Sequence, residues 1–563
     1  MVFRKVVFFV LCFALIFISG PMSNGDTKAP DEQFQPTRLP PDPNMPSRVG
    51  VYIEENPSTL RMPTILFGYN WDKFNAPQAV AICDSLEDSD CASAQFFMYY
   101  ALFEPCSKSS DVDCIEEVFA IGPDGKRYKA RFLETLPSTV AHSYAPNRAA
   151  GLPGGGNASL WNLPDVMHPG GDSKYAVFVS RVGSVERTAS SFQSQPTGSN
   201  PWNYGDFRIA IFPVTYDRDS RYKRHIPLIT TGVQGERALG ISHPSTKEWE
   251  ACAIVDDGIC ALRQPFPPKY RFGIKVRFSS EVNGWVHGRL LNPELELKMS
   301  SQGVTLTALG EAQRVPVVAG YFDGAMVTDM ERRNWSQSLR PNSFNYLNIN
   351  QLNVFEIYNR YLGNRAVAYP SQWTFYNLSL RTMSDSHKCI LNADGIAGFL
   401  STNAAVYEET PPTFNSATQS LDYRLAAPHL LPTGETLRGQ YDLQIDSKVA
   451  RCIYGFSEAP ITASVSITRE TETVNITTSS LTEKDNWLKL SVAGFTYSSP
   501  QIKVKLSQET PKAKASPTPT VAPNEVENPP KTKPKTSVTC VKGKKSVTVT
   551  KKKDCPKGFK SKV

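Results

Sequence analysis

The chain has 563 residues, of which 40% are hydrophobic and 20% charged, and its formal net charge is +7. Residues 531–563 hold twelve lysines and one aspartate and so carry +11, which leaves −4 for everything before them. This excludes a body that is basic throughout and confines any attraction to polyanions to the C-terminal end.

The N-terminus begins "MVFRKVVFFVLCFALIFISGPMSNG". Arg4 and Lys5 form a positive start, Val6 to Ile18 is an unbroken apolar run, and Ser23 and Gly25 suit the −3 and −1 positions of a cleavage site. Residues 1–25 are therefore expected to be a secretory signal peptide. The apolar run is short beside the roughly 20 residues a bilayer requires, and no later stretch reaches that length. The mature chain is expected to be exported with no transmembrane segment. Without Arg4 and Lys5, its body would carry about −6. Residues 26–48, "DTKAPDEQFQPTRLPPDPNMPSR", read as a polar, proline-rich spacer.

Export gives the cysteines meaning. Setting aside Cys12 in the leader, ten remain, an even number suited to an oxidising compartment. Three pairs each enclose seven residues: "CDSLEDSDC" (Cys83, Cys91), "CSKSSDVDC" (Cys106, Cys114) and "CAIVDDGIC" (Cys252, Cys260). Local spacing also joins Cys540 to Cys555, and elimination leaves Cys389 with Cys452. A C-x7-C loop closes easily across a turn, and Asp, Ser and Gly are ordinary turn residues. Zinc would call for closer cysteine pairs or spaced histidines. Calcium would call for alternating oxygen ligands, of which Asp111 and Asp113, or Asp256 and Asp257, are fragments. The loops are read as stapled hairpins, with those four aspartates as calcium candidates.

Strand signals dominate the body. In "YRFGIKVRFS", Tyr270, Phe272, Ile274, Val276 and Phe278 recur with period two, and Arg271, Lys275 and Arg277 fall on the opposite phase. One face is thus apolar and the other wet. The same alternation runs through Ala463, Val465 and Ile467, through Leu488, Leu490 and Val492, and through Ile502, Val504 and Leu506. "GPDGK" at 122–126 is a turn between strands. "ASAQFFMYYALFEP" at 92–105 is read as a strand, and 328–339 as one short helix. Residues 145–174 form a long glycine-rich passage, the kind usually functional or disordered.

The expected fold is mainly β: two to three tandem, disulfide-stapled, sandwich-like domains, then a linker and a small basic module. The divisions are 49–250, 251–385 and 386–508, with a Pro/Thr/Lys linker over 509–537 and the module over 538–563. The linker composition cannot bury a core.

Catalytic constellations are missing: there is no HExxH, GxSxG, Walker loop or GxGxxG. No cofactor or metal follows from the sequence. The histidines are scattered, and His243 beside Ser242 would point away from it on a strand. Trp202, Tyr204, Trp285 and Trp335 lie among Asn, Gly and Arg. They are read as edge-packing rings, with sugar stacking as the competing role. Four N-x-S/T sequons, at Asn157, Asn334, Asn377 and Asn475, matter only in a host that glycosylates them.

"CSKSSDVDCIEEV", "NGWVHGRLLNPELEL", "VARCIYGFSEAPITASVSIT" and "AGFTYSSPQIKVKLSQ" resemble a family of large secreted, disulfide-containing, β-rich proteins of actinobacteria. "VTCVKGKKSVTVTKKKDCPKGFK" resembles a short terminal module of exported proteins in that group, where it also follows a Pro/Thr/Lys linker. The resemblance implies a Gram-positive-type envelope and transfers no catalytic residues. The functional expectation is a non-enzymatic, envelope-associated protein with an adhesive, ligand-binding or structural role. Lys542, Lys544, Lys545, Lys551, Lys552, Lys553 and Lys557 would contact anionic envelope polymers. A glycan is the other partner class. Specific nucleic acid is not expected, since the basic module has a single aromatic, Phe559. The alternative is an extracellular carbohydrate-active enzyme with a carboxylate pair in a sandwich cleft.

Overall fold

The alternating segments form strands, and their apolar phase is the buried one. In the strand Arg271–Phe278 the side chains of Phe272, Ile274, Val276 and Phe278 are fully buried, while Arg271, Lys275 and Arg277 remain partly exposed. Burying one such apolar side chain contributes about 1.5–3 kcal/mol. Val465, Ile467, Leu488, Leu490, Val492, Ile502, Val504 and Leu506 are buried in the same way. The stretch at 92–105 contains the strand Phe96–Leu102. The turn at 122–126 closes through Gly122 N–H to the Lys126 carbonyl at 2.9 Å, with Gly125 in the left-handed region at φ 79°.

These observations come from a computed structural model. It describes residues 48–508 apart from 54–62, 74–76, 137–141, 196–206, 221, 223–229, 232–236, 239–251, 257, 329–343, 347–351, 379–382, 384–385, 458–460, 470–471, 477–479 and 498–500. It also describes 537–542, 545–550, 557 and 560–562. The expected leader, most of the spacer, the helix over 329–339 and most of the linker lie outside the described residues. Among the described residues no helix is long and apolar enough to cross a membrane.

The chain divides into two compact units, 1–509 and 510–563. Within the first, the divisions expected at 250/251 and 385/386 are not where the sheets divide. Phe207–Arg218 pairs with Ser371–Asn377. Arg271–Phe278 pairs with Cys114–Ile121. Gly284–Ser300 runs parallel to Ile396–Thr402. The three expected domains are interleaved because these pairings are long-range, and a linear pattern carries no record of strand partners.

The body is instead layered. A central sheet runs through 96–102, 174–187, 207–211, 371–377, 284–289, 396–402, 438–446 and 487–496. One of its faces packs on a sheet built from 114–121, 271–278, 303–314 and the far half of 284–300. That core includes Val118, Phe272, Ile274, Leu306, Ile209, Phe375 and Phe399. Part of the other face packs on a sheet built from Val406–Tyr407, Ser420–Ala426, Gln501–Gln508 and Ile461–Arg469. This second core includes Trp285, Leu400, Leu421, Leu425, Val465, Ile502 and Val504.

The strand 284–300 joins these layers. Val286 and Leu290 face the first core, and Trp285 faces the second. Both faces of its first half are buried, so the polar side chains His287 and Arg289 are enclosed along with the apolar ones. It bends from one sheet into the other at an irregularity between Leu291 and Glu294. The Trp285 ring lies across Gly398 on the neighbouring strand, and an added Cβ there would sit 2.2 Å from it, so the position requires glycine.

Three short helices went unsignalled by periodicity: Leu352–Asn359, Lys388–Leu391 and Ser447–Tyr454. The last is capped by the Asp446 carboxylate, which accepts from Lys448 and Val449 N–H, and ends at Gly455 with φ 67°. The glycine-rich passage 145–174 is not uniformly irregular, because it contains the strand Ala158–Asn162, paired on both edges.

In the second unit Ser537–Lys542 lies between Lys545–Thr550 and Lys560–Lys562, antiparallel to both. Cys540 is buried and disulfide-bonded. Its expected partner Cys555 lies outside the described residues.

Candidate functional site

The disulfides Cys83–Cys91, Cys106–Cys114, Cys252–Cys260 and Cys389–Cys452 are formed. Only one of the three short loops is a clasp between hairpin strands. Cys252–Asp256 and Ile259–Arg263 are paired antiparallel, with Val255 opposite Cys260. The other two are compact loops at strand ends and correct the expectation of stapled hairpins there.

Both compact loops use the aspartate five residues after the first cysteine. Asp88 accepts N–H from Asp84 at 2.6 Å and from Asp90 at 2.9 Å. Those two donors hold its carboxyl below the usual carboxylate range. Asp111 accepts N–H from Ser107 at 2.9 Å and Lys108 at 2.7 Å on one oxygen. Asp113 sits at φ 55° and accepts from Ser279 N–H at 2.9 Å. Arg277 then ties the loop to its neighbouring strand, donating to the Ser109 carbonyl at 2.6 Å and to Glu116 at 2.7 Å. Asp111 and Asp113 thus have a defined structural task as acceptors of backbone N–H. Among the described residues no group of three or more His, Cys, Asp or Glu is placed to hold a metal ion. Asp257 and the side chain of Asp256 lie outside the described residues. The substitution Asp111→Ala is expected to lower stability by about 1 kcal/mol, the usual cost of losing such a capping acceptor. The loss should be the same with calcium or with a chelator in urea titrations. A loss seen only with calcium would assign the loop to the metal instead.

The other sequence candidates scatter. Trp285 is fully buried, so it offers no sugar platform. Trp202, Tyr204, Trp335, His225 and His243 lie outside the described residues. His142 meets Asp84 at 2.6 Å on the surface. His168 and His287 are buried, and burial presses their pKa values down to about 4 and about 3, so both are neutral at pH 7. Asn377 is fully buried and accepts from Phe207 N–H, while Asn157 donates to Glu104 at 2.6 Å. The Asn377 amide is closed to glycosylation in the folded chain, while Asn157 is half-buried.

Of the polyanion candidates, Lys542 and Lys557 are exposed. Lys545 stands directly opposite Lys542 across the hairpin. Lys544, Lys551, Lys552 and Lys553 lie outside the described residues.

Sequence reasoning missed a cleft of about 400 Å³ lined by Glu408, Thr413, Phe414, Asn415, Ser416, Asp422, Arg424 and Gln501. Strand register builds it. Arg424 pairs with Gln501, and Asp422 pairs with Lys503 on one side and Thr413 on the other. Glu408 N–H donates to the Arg424 carbonyl at 3.1 Å, which places Glu408 beside Arg424. Thr413, Asp422, Arg424 and Gln501 share the outward face, while Phe414, opposite Leu421, turns with Leu421, Tyr423 and Leu425 toward the core. Burial lifts the Glu408 carboxyl above its usual range, against the pull of the Arg424 N–H and guanidinium. Asp422 accepts from Ser420 Oγ at 2.5 Å and from Asn415 Nδ2 at 3.2 Å, with Lys503 Nζ at 3.7 Å. The only linear trace of this site is the polar alternation Ser420, Asp422, Arg424, which any wet strand face shares.

In comparisons with known proteins, the chain matches no family model and no curated protein.

Proposed function

We propose that this is a secreted, envelope-associated, non-enzymatic protein whose layered β-body is held near the cell by its lysine-rich C-terminal unit. One observation carries the reading: a charge of +11 is gathered into residues 531–563, at the end of a chain that is otherwise −4. Four disulfides fit an extracellular setting. The terminal residues form a separate compact unit. Its register sets Lys542 against Lys545. Anionic wall polymers are the matching partner class, and the resemblance to exported actinobacterial proteins points to the same setting.

The full mature chain is expected to co-sediment with Gram-positive wall material at low salt. It should be released in about 1 M salt, where the screening length falls to about 3 Å. A chain lacking 531–563 should stay in the supernatant at both salts. Equal retention of the two chains would overturn the tether.

A further inference from the structure

His287 is fully buried where the central sheet packs on the second one. We infer that it is an acid-operated latch: when its ring takes a proton, the segment 406–426 is released from the central sheet while the rest of the body stays folded. This device does not rest on the proposed tether.

The placement of the ring carries the inference. Within the central sheet His287 stands between Tyr376 on one neighbouring strand and Leu400 on the other. Tyr376 meets it edge-on at 6.2 Å. The second sheet presses two more rings onto it, Tyr407 at 5.1 Å and Tyr423 at 6.1 Å. Tyr441 lies behind Tyr423 at 6.0 Å. Among the described residues neither imidazole nitrogen makes a well-formed hydrogen bond. The Thr410 backbone favours a proton on the ring, and the buried guanidinium of Arg289, two residues along the same strand, opposes it. Other charged groups on these strands face elsewhere. Glu408, Asp422 and Arg424 line the outward cleft, with Lys503 beside Asp422. Asp442 accepts from Gln440 on the face of its strand away from Tyr441. Arg208 lies beyond Tyr376, 4.8 Å from that ring.

A proton on His287 would set a second positive charge beside Arg289 in an apolar core, where burying it is costly. Burial, then the Arg289 charge, hold the ring's pKa down to about 3, whereas an imidazole in water takes its proton near pH 6.5. The open segment therefore binds a proton that the closed one excludes. The latch holds fully above about pH 6.5 and weakens as the pH falls from there toward about 3. The segment 406–426 gives way because the other side of the central sheet is filled by the first core, whereas the side facing His287 is covered by the strands that carry Tyr407 and Tyr423. Local units of this kind open at less cost than the whole fold. The Cys389–Cys452 bond brackets the segment and limits how far it can move. These strands also build the cleft, so the latch sets the pH range in which the cleft exists.

Hydrogen exchange on the full mature chain from pH 7 to pH 4, corrected for the intrinsic pH dependence of exchange, tests the latch. Amides of 420–426 should speed up about tenfold for each pH unit below about 6, the slope of one proton taken up on opening. Amides of 174–179 and 207–211 in the central sheet should not follow. In His287→Gln the slope at 420–426 should fall to that of the central strands. In His168→Gln, which alters the buried histidine packed on Tyr175 of the first core, the slope should persist. Equal acceleration of both sets of strands in the wild type would show acid unfolding of the body as a whole and would overturn the latch, and this comparison requires no variant. A slope kept in His287→Gln, or lost in His168→Gln, would assign the proton to another group and overturn it as well.

Discussion

Replacing Cys389 and Cys452 together by alanine is expected to destabilise the body by about 4 kcal/mol, the largest loss from any single disulfide with both cysteines in the first unit. The bond closes a sequence separation of 63 residues, against 8 for the other three. In the chain-entropy account, cross-link stabilisation grows with the logarithm of the enclosed loop, from about 2.5 kcal/mol for a short loop to about 4 for this one. The enclosed segment also matters. It leaves the 388–391 helix, runs through 396–402 in the central sheet and crosses to the second sheet at 406–426. It then returns through 438–446 to the 447–454 helix. The cross-link therefore ties together the exit and re-entry of the excursion that carries the cleft. Denaturant titration under non-reducing conditions, with Cys83→Ala/Cys91→Ala as the comparator, measures the difference. A loss no greater than the comparator's would sink the loop-length argument.

Arg289→Ala is expected to cost about 3–5 kcal/mol, in the range of the most severe core truncations. Arg289 is fully buried. Its Nη1 donates to the carbonyls of Thr402 at 2.7 Å and Ala404 at 2.8 Å, and its guanidinium lies 4.6 Å from the Tyr407 ring centre. Residues 402–405 form the corner where the chain leaves the central sheet for the second one. Asn403 holds the same corner, accepting from Gln440 N–H at 2.8 Å and from the Tyr497 hydroxyl at 2.5 Å. Alanine at 289 would leave two buried carbonyls without their donor and open a cavity beside His287. Each such orphaned group costs about 1–3 kcal/mol. Arg289→Lys keeps the charge but not the planar fork, and should recover only part of the loss. Equilibrium unfolding reads both variants. Alanine behaving like wild type would show that the corner is held without Arg289.

Both predictions depend on parts of the molecule with unequal traces in the sequence. Cysteine parity behind the expected leader suggested Cys389 with Cys452 by elimination, but left their connectivity open until the structure joined them. "NGWVHGRLLNPELEL" gives no hint that Arg289 is a buried fastener, because an arginine two residues from a histidine ordinarily reads as a wet strand face. The 447–454 helix was partly legible, since Asp446 and Gly455 are ordinary start and stop residues. Eight residues are too few for periodicity to declare it.

By itself the sequence determined the strand-rich class, the buried faces of the alternating strands, the cysteine pairing of the short loops and the division of charge between body and tip. Each is a local property: period two, short spacing, or a count over a segment. Only the tertiary structure decided which strands are neighbours. It laid 284–289 beside 371–377 and 396–401, interleaved the expected domains into layers, turned Asp88 and Asp111 inward onto their own loops, and set Glu408, Asp422 and Arg424 around one cleft. Those outcomes rest on hydrogen-bond register between segments up to about 170 residues apart. Register is fixed by which faces can be buried together, and that choice exists only once the whole chain has folded.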